Sequence, residues 1–161
     1  MSVASIGLPP AATDPRLRDF FEYWRSKAPP GRLPGRQHLD PLDIPRLLPH
    51  IAMFDVVRNA GVPRFRFRLM GTGVVQLMGD DYTGRWVDET MAPDVYANLH
   101  AAFSRVCAGQ PHYWERLLPY PKRDFVGHRR LALPLAGDGS TVDMIIGCYI
   151  PVLREDLRAD V

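Results

Sequence analysis

Only two cysteines occur in the 161 residues, Cys107 and Cys148, and no paired motif surrounds them. This leaves at most one disulfide and fits reduced thiols in a cytoplasmic protein. No apolar run approaches the roughly 20 residues that cross a bilayer, so no membrane association is expected. The first 13 residues lack the basic region and apolar core of a secretory signal. A net charge of +2 and a pI near 8.7 fall short of a nucleic-acid footprint. The five histidines (His38, His50, His100, His112 and His128) show no ligand spacing, so no metal is expected. No Ser/His/Asp or paired-carboxylate constellation stands out, which argues against an enzyme. Internal repeats and low-complexity blocks are missing as well.

What is present describes one domain with a real core: 46% hydrophobic residues and 24% charged ones. Sixteen prolines punctuate it, mainly at residues 9–15, 29–49 and 111–121. Residues 1–12 are small, apolar and aperiodic, and read as a flexible tail. Residues 13–30 form an N-terminal helix that starts at Thr13-Asp14-Pro15. Leu17, Phe20, Phe21 and Trp24 make an amphipathic stripe on it, either packed on the chain's own sheet or serving as a dimer contact. Pro41, Pro45 and Pro49 then recur every four residues and allow only short helical turns between them. Leu42, Ile44, Leu47 and Leu48 are expected to bury that segment.

Strands are expected over Ile51–Val57 and Arg64–Met70, joined by a turn at Asn59-Ala60-Gly61. In the second, Phe65, Phe67 and Leu69 alternate with Arg64, Arg66 and Arg68, the pattern of a half-buried antiparallel strand. A short helix over residues 71–78, a loop over 79–84 and a longer helix over 94–108 follow. Three more strands cover residues 112–118, 127–136 and 141–151, with a loop over 119–125 and a hairpin turn at Gly137-Asp138-Gly139-Ser140. A charged tail, residues 153–161, closes the chain. Two strand groups separated by helices give an α+β fold with the helices on one face of the sheet.

The segments Gly35-Arg36, Asp40-Pro41, Ile44-Pro45 and Leu47-Leu48-Pro49, then residues 66–72 (RFRLMGT), then Gly79 and Thr83-Gly84, occur in a telling order. The closing hairpin adds Leu133-Pro134-Leu135 and Asp138-Gly139. Together they resemble a family of stand-alone, largely alphaproteobacterial PAS-like proteins, over about residues 15–152. The resemblance implies a five-stranded antiparallel PAS sheet over residues 31–152, a ligand cavity under its helices, and a homodimer. It implies a sensory module whose output passes through a signalling partner protein or a change of oligomer.

Within that frame the pocket candidates are Phe54, Phe67, Leu69, Val74, Leu77, Met78, Trp86, Leu99, Phe103, Trp114, Met144 and Ile146. Candidate polar groups are Thr72, Gln76, Tyr82, Thr83, Arg85 and Tyr113. The flavin signature of light-sensing PAS domains, a reactive cysteine in an NCRFLQ-like helix, does not occur; Cys107 sits in RVCAG. His100 is the one histidine placed for haem ligation, with a plain helix histidine as the simpler reading. The cofactor stays unassigned. Arg64, Arg66 and Arg68, with Arg129 and Arg130, make either a positive docking patch or a solvated face with acidic neighbours. Asp80-Asp81 reads as solvated turn residues. Three functions remain open: a ligand-binding sensor, a ligand-free protein-interaction adaptor, and, last, a small-molecule enzyme.

Overall fold

The computed structural model describes residues 2–118, 120 and 126–158. The expected loop over 119–125 and the last three tail residues therefore lie, for the most part, outside the described residues. One antiparallel sheet organises the chain: β1 (Ile51–Asn59), β2 (Val62–Met70), β3 (His112–Leu117), β4 (Gly127–Leu135) and β5 (Met144–Val152), in the order β2-β1-β5-β4-β3. Three α-helices pack on it: α1 (Pro15–Ser26), α2 (Thr72–Met78) and α3 (Pro93–Cys107). The fold is the expected α+β PAS sheet.

Local chemistry sets these elements. β1 and β2 are joined by a two-residue turn, Ala60-Gly61, with both φ values positive (50° and 80°). Such a turn matches the right-handed twist of the strands it joins. The Pro-rich stretch forms three short 3-10 turns, at Arg36–His38, Pro41–Asp43 and Leu48–His50. The Asp40 carboxylate accepts from the Leu42 N–H and caps the second of them. Leu47 is buried there as expected, but Leu42 is 84% exposed because its turn lies at the rim. α1 is capped by Asp14, whose carboxylate accepts from the Arg16 N–H, with Pro15 in the first turn.

The sheet is covered on both sides. α2 and α3 lie on the inner face, as expected. α1 lies on the outer face, where Leu17, Phe20, Phe21 and Trp24 are 0–1% exposed within the single chain. The Trp24 indole N–H donates to the Pro134 carbonyl at 2.8 Å. The stripe named as a dimer contact is thus buried against its own sheet, the other of the two readings. The N-terminal segment also differs from the expected tail: Val3, Ile6 and Ala12 are buried and join the core, since they are small apolar groups beside the edge of α1.

Strict alternation in β2 breaks at one point. Phe54 pairs with Phe67, but Met53 pairs with Leu69, so Arg68 has no partner and forms a bulge. Beyond it the strand changes phase. Leu69 turns outward and is 42% exposed, while the Met70 sulfur turns in to accept from the Tyr82 N–H. The open edge of β2 is covered by its own chain: Phe67 N–H bonds the Arg85 carbonyl and Arg66 bridges Trp86. No helix among the described residues is long and apolar enough to cross a membrane.

On the outer face, Glu115 of β3 has a fully buried side chain. It accepts from the Tyr113 hydroxyl (2.6 Å), from Arg129 Nε (3.2 Å) and from the Arg158 backbone N–H (2.8 Å). Burial alone would raise its pKa; the bonds from Arg158 and Tyr113 outweigh that and hold it down at about 2, below the ordinary 4.5. A depressed carboxyl stabilises the fold above its unfolded pKa and loses that contribution as pH falls through the folded value. The contribution, on the order of 2–3 kcal/mol, is therefore present above about pH 5 and gone near pH 2. In urea melts from pH 7 to pH 2.5, the stability gap between the natural protein and Glu115→Gln should narrow as pH falls.

Candidate functional site

Between the inner face of the sheet and α3 lies a cavity of about 110 Å³. β1 and β2 supply Phe54 and Phe67, α2 supplies Met78, and α3 supplies Val95, Asn98 and Leu99. The 3-10 turn Val87–Glu89 and the segment after it add Val87 and Met91. β3, β4 and β5 close the floor with Trp114 and Arg116, His128 and Arg130, and Tyr149. Leu117, Leu118 and Tyr120 complete the wall. These strand residues meet because alternate positions of a strand share a face. His128, Arg130 and Ala132 point inward, whereas Leu131, Leu133 and Leu135 meet α1 on the outer side.

The walls are largely apolar, yet three polar side chains among them carry buried nitrogens without hydrogen-bond partners among the described residues. Arg130 is 0% exposed. Its Nη2 donates to His112 Nδ1 at 3.2 Å, and its guanidinium lies 3.8 Å from the Trp114 ring centre and 4.9 Å from that of Phe103. Among the described residues its Nε and Nη1 have no hydrogen-bond partner, and neither do Trp114 Nε1 and His128 Nδ1. Burial pushes the Arg130 pKa down to about 10, which leaves it charged at neutral pH. Burial and then the Arg130 charge lower His128 to about 3 and His112 to about 4, so both imidazoles are neutral. His128 stacks on Tyr149, whose hydroxyl pKa is raised by burial.

Of the residues named from sequence, Phe54, Phe67, Met78, Leu99 and Trp114 line the cavity together. Phe103 stands directly behind it, in T-shaped contact with Phe54 and Phe65 and under Arg130. The others lie elsewhere. Leu69 is carried outward by the bulge. Thr72 and Gln76 are on the exposed side of α2, opposite the buried Val74, Leu77 and Met78. Met144 and Ile146 alternate onto the outer face with Cys148. Trp86 runs along the β2 edge beneath Arg64 and Arg66, with ring-to-guanidinium distances of 4.1 and 5.4 Å. Tyr82 stacks on Tyr120 and so sits one ring outside the cavity wall.

The arginines do not form a single patch. Arg64 pairs with Asp88 at 2.8 Å and Arg66 with Asp55 at 3.0 Å. Arg129 pairs with Glu115 on the outer face, while Arg130 is on the inner face. The solvated face with acidic neighbours is the arrangement present. His100 bonds the Pro63 carbonyl at 2.9 Å and packs on Phe65 and Tyr96, outside the cavity lining. Among the described residues no group of three or more His, Cys, Asp or Glu is placed to hold a metal.

Arg130, His128 and Tyr149 escaped the sequence reading. The signal was the burial of β4 on both faces: a central strand with leucines at 131, 133 and 135 leaves its alternate residues on the inner face, not in water.

A PAS domain family model matches residues 12–150. Among solved structures, a light-oxygen-voltage domain studied with a flavin analogue has 16% identity and a TM-score of 0.50, over 71% of this chain and 84% of that one. The light-state LOV domain of the blue-light photoreceptor Aureochrome1 has 13% identity and a TM-score of 0.49, over 70% and 88%. A sensory box histidine kinase/response regulator from Burkholderia thailandensis has 14% identity and a TM-score of 0.43, over 72% and 87%. No curated protein matches the chain. The family match over residues 12–150, on a five-stranded sheet in the order β2-β1-β5-β4-β3, establishes that this chain belongs to the PAS domain family.

Proposed function

We propose that the chain is a sensory module that binds a small molecule in the cavity and regulates a partner protein, without catalysing a reaction itself. The observation that carries this is the pairing of apolar walls with buried nitrogens that have no hydrogen-bond partner among the described residues. Buried polar groups ordinarily find a hydrogen-bond partner, and ligand sites place a few such groups in an apolar enclosure. The flavin of the first structural neighbour is not carried over. A cavity of about 110 Å³ is too small for a tricyclic ring system. Cys148 lies on the outer face, and Cys107, near the end of α3, does not line the cavity. Native mass spectrometry of the protein as purified, with a denatured control, tests the reading. Extra mass that disappears on denaturation supports it; an unmodified apo mass favours the adaptor reading.

A second reading concerns assembly. On the outer face of the β1–β2 hairpin, beyond the reach of α1, Leu69 is 42% and Val57 is 40% exposed. Beside them the Arg68 side chain is 62% exposed. This strip suits a second copy of the chain. Leu69→Asp should shift the protein from dimer to monomer in sedimentation equilibrium with its melting temperature unchanged. A natural protein that stays monomeric at high micromolar concentration would remove this reading.

A further inference from the structure

Two of the buried charges, Glu115 and Arg130, are treated differently by the fold. Glu115, on the outer face, is surrounded by Arg129, Arg158 and Tyr113 and is fully paired. Arg130, on the inner face, has no carboxylate partner among the described residues. Two of its nitrogens, Nε and Nη1, have no hydrogen-bond partner among those residues either; they carry three of the five guanidinium donors. Two aromatic faces, one imidazole and the neighbouring Tyr149 hydroxyl, which interacts with its charge, offset part of the cost of burying it. A buried charge left partly unpaired costs stability, and apolar residues of similar volume often replace such groups without loss. Its presence therefore points to an anion that completes the site. The Trp114 indole N–H, also without a partner among the described residues and on a ring in contact with the same guanidinium, is a second donor for that anion.

The surroundings narrow the chemistry. Phe54, Phe67, Val95 and Leu99 make one side of the lining apolar, and Asn98, Arg116, His128 and Tyr149 share the rest of it with Arg130 and Trp114. A phosphate, with three oxygens and nearly two charges, suits a more polar enclosure than one with Phe54, Phe67, Val95 and Leu99 along one side. A carboxylate calls for two or three donors. The cavity of about 110 Å³ is of the same order as the roughly 150 Å³ that admits a benzene ring. We propose that Arg130 and Trp114 anchor the carboxylate of a small monocarboxylic acid whose apolar body lies against Phe54, Phe67 and Leu99. This deepens the proposed function and rests on it.

Isothermal titration of the full chain with benzoate, hexanoate, benzamide and inorganic phosphate tests the assignment, on the natural protein and on Arg130→Met. Benzoate or hexanoate should bind saturably at one site, with benzamide and phosphate at least about 30-fold weaker. Arg130→Met should lose about 30-fold or more in carboxylate affinity while melting no lower than the natural protein. If that variant fails to fold, the comparison of benzoate with benzamide on the natural protein still decides. Benzamide binding as well as benzoate, or phosphate binding best, overturns the carboxylate assignment and leaves the ligand-binding reading standing. Failure of every probe, together with an apo native mass, overturns both.

Discussion

Trp24→Ala is expected to lower stability by about 3–5 kcal/mol, the range for deleting a fully buried aromatic side chain. For a domain of this size that is a fall of roughly 10 °C or more in melting temperature. The cost has three sources. The indole is 1% exposed on the outer face of the sheet. It packs on Phe21 with ring centres 5.7 Å apart. Its N–H satisfies the Pro134 carbonyl inside β4, and truncation leaves that buried acceptor unpaired. Trp24→Phe keeps most of the packing and should cost about 1–2 kcal/mol, chiefly the lost hydrogen bond. Melts at two protein concentrations separate this account from a dimer contact. A core residue gives a loss independent of concentration, whereas an interface residue gives one that depends on it.

Phe103→Ala should cost about as much, 3–5 kcal/mol, and should also change the site. Phe103 is 0% exposed and makes edge contacts with Phe54 and Phe65 at 4.9 and 5.1 Å. It also forms one of the two aromatic faces against Arg130. Its removal joins the vacated space to the cavity. The variant should therefore accept longer or bulkier acids than the natural protein does, with weaker binding of the smallest ones. Titration with hexanoate and octanoate measures this as a reversal of their order of affinity. An unchanged order would mean that Phe103 is a core residue that does not bound the cavity.

The two predictions mark where sequence pattern was sufficient and where it was not. The heptad-like stripe of α1, the proline spacing and the two hairpin turns depend on local chemistry, so helix, 3-10 turns and strands fall close to their expected places. Which side of the sheet a helix covers depends on tertiary packing, and both outcomes satisfy the same amphipathic stripe. Leu69 is the clearest failure. Residues 64–69 alternate without interruption, yet the bulge at Arg68 reverses the phase, and a bulge here has no glycine to announce it. Five of the pocket residues were legible because aromatic and aliphatic positions on β1–β3, α2 and α3 point inward by periodicity. Arg130 was not, because an arginine beside a second arginine reads as surface until both faces of β4 are known to be covered.

The central claim is that the cavity around Arg130 holds a ligand carboxylate. The most direct measurement follows the side-chain ¹H–¹⁵N resonances of arginine Nε–H and tryptophan Nε1–H groups during a benzoate titration. The account predicts saturable shifts at Arg130 Nε–H and Trp114 Nε1–H with one common dissociation constant, and none at Trp24, whose N–H is already bonded. Shifts confined to exposed arginines such as Arg68, growing linearly with benzoate, would contradict it.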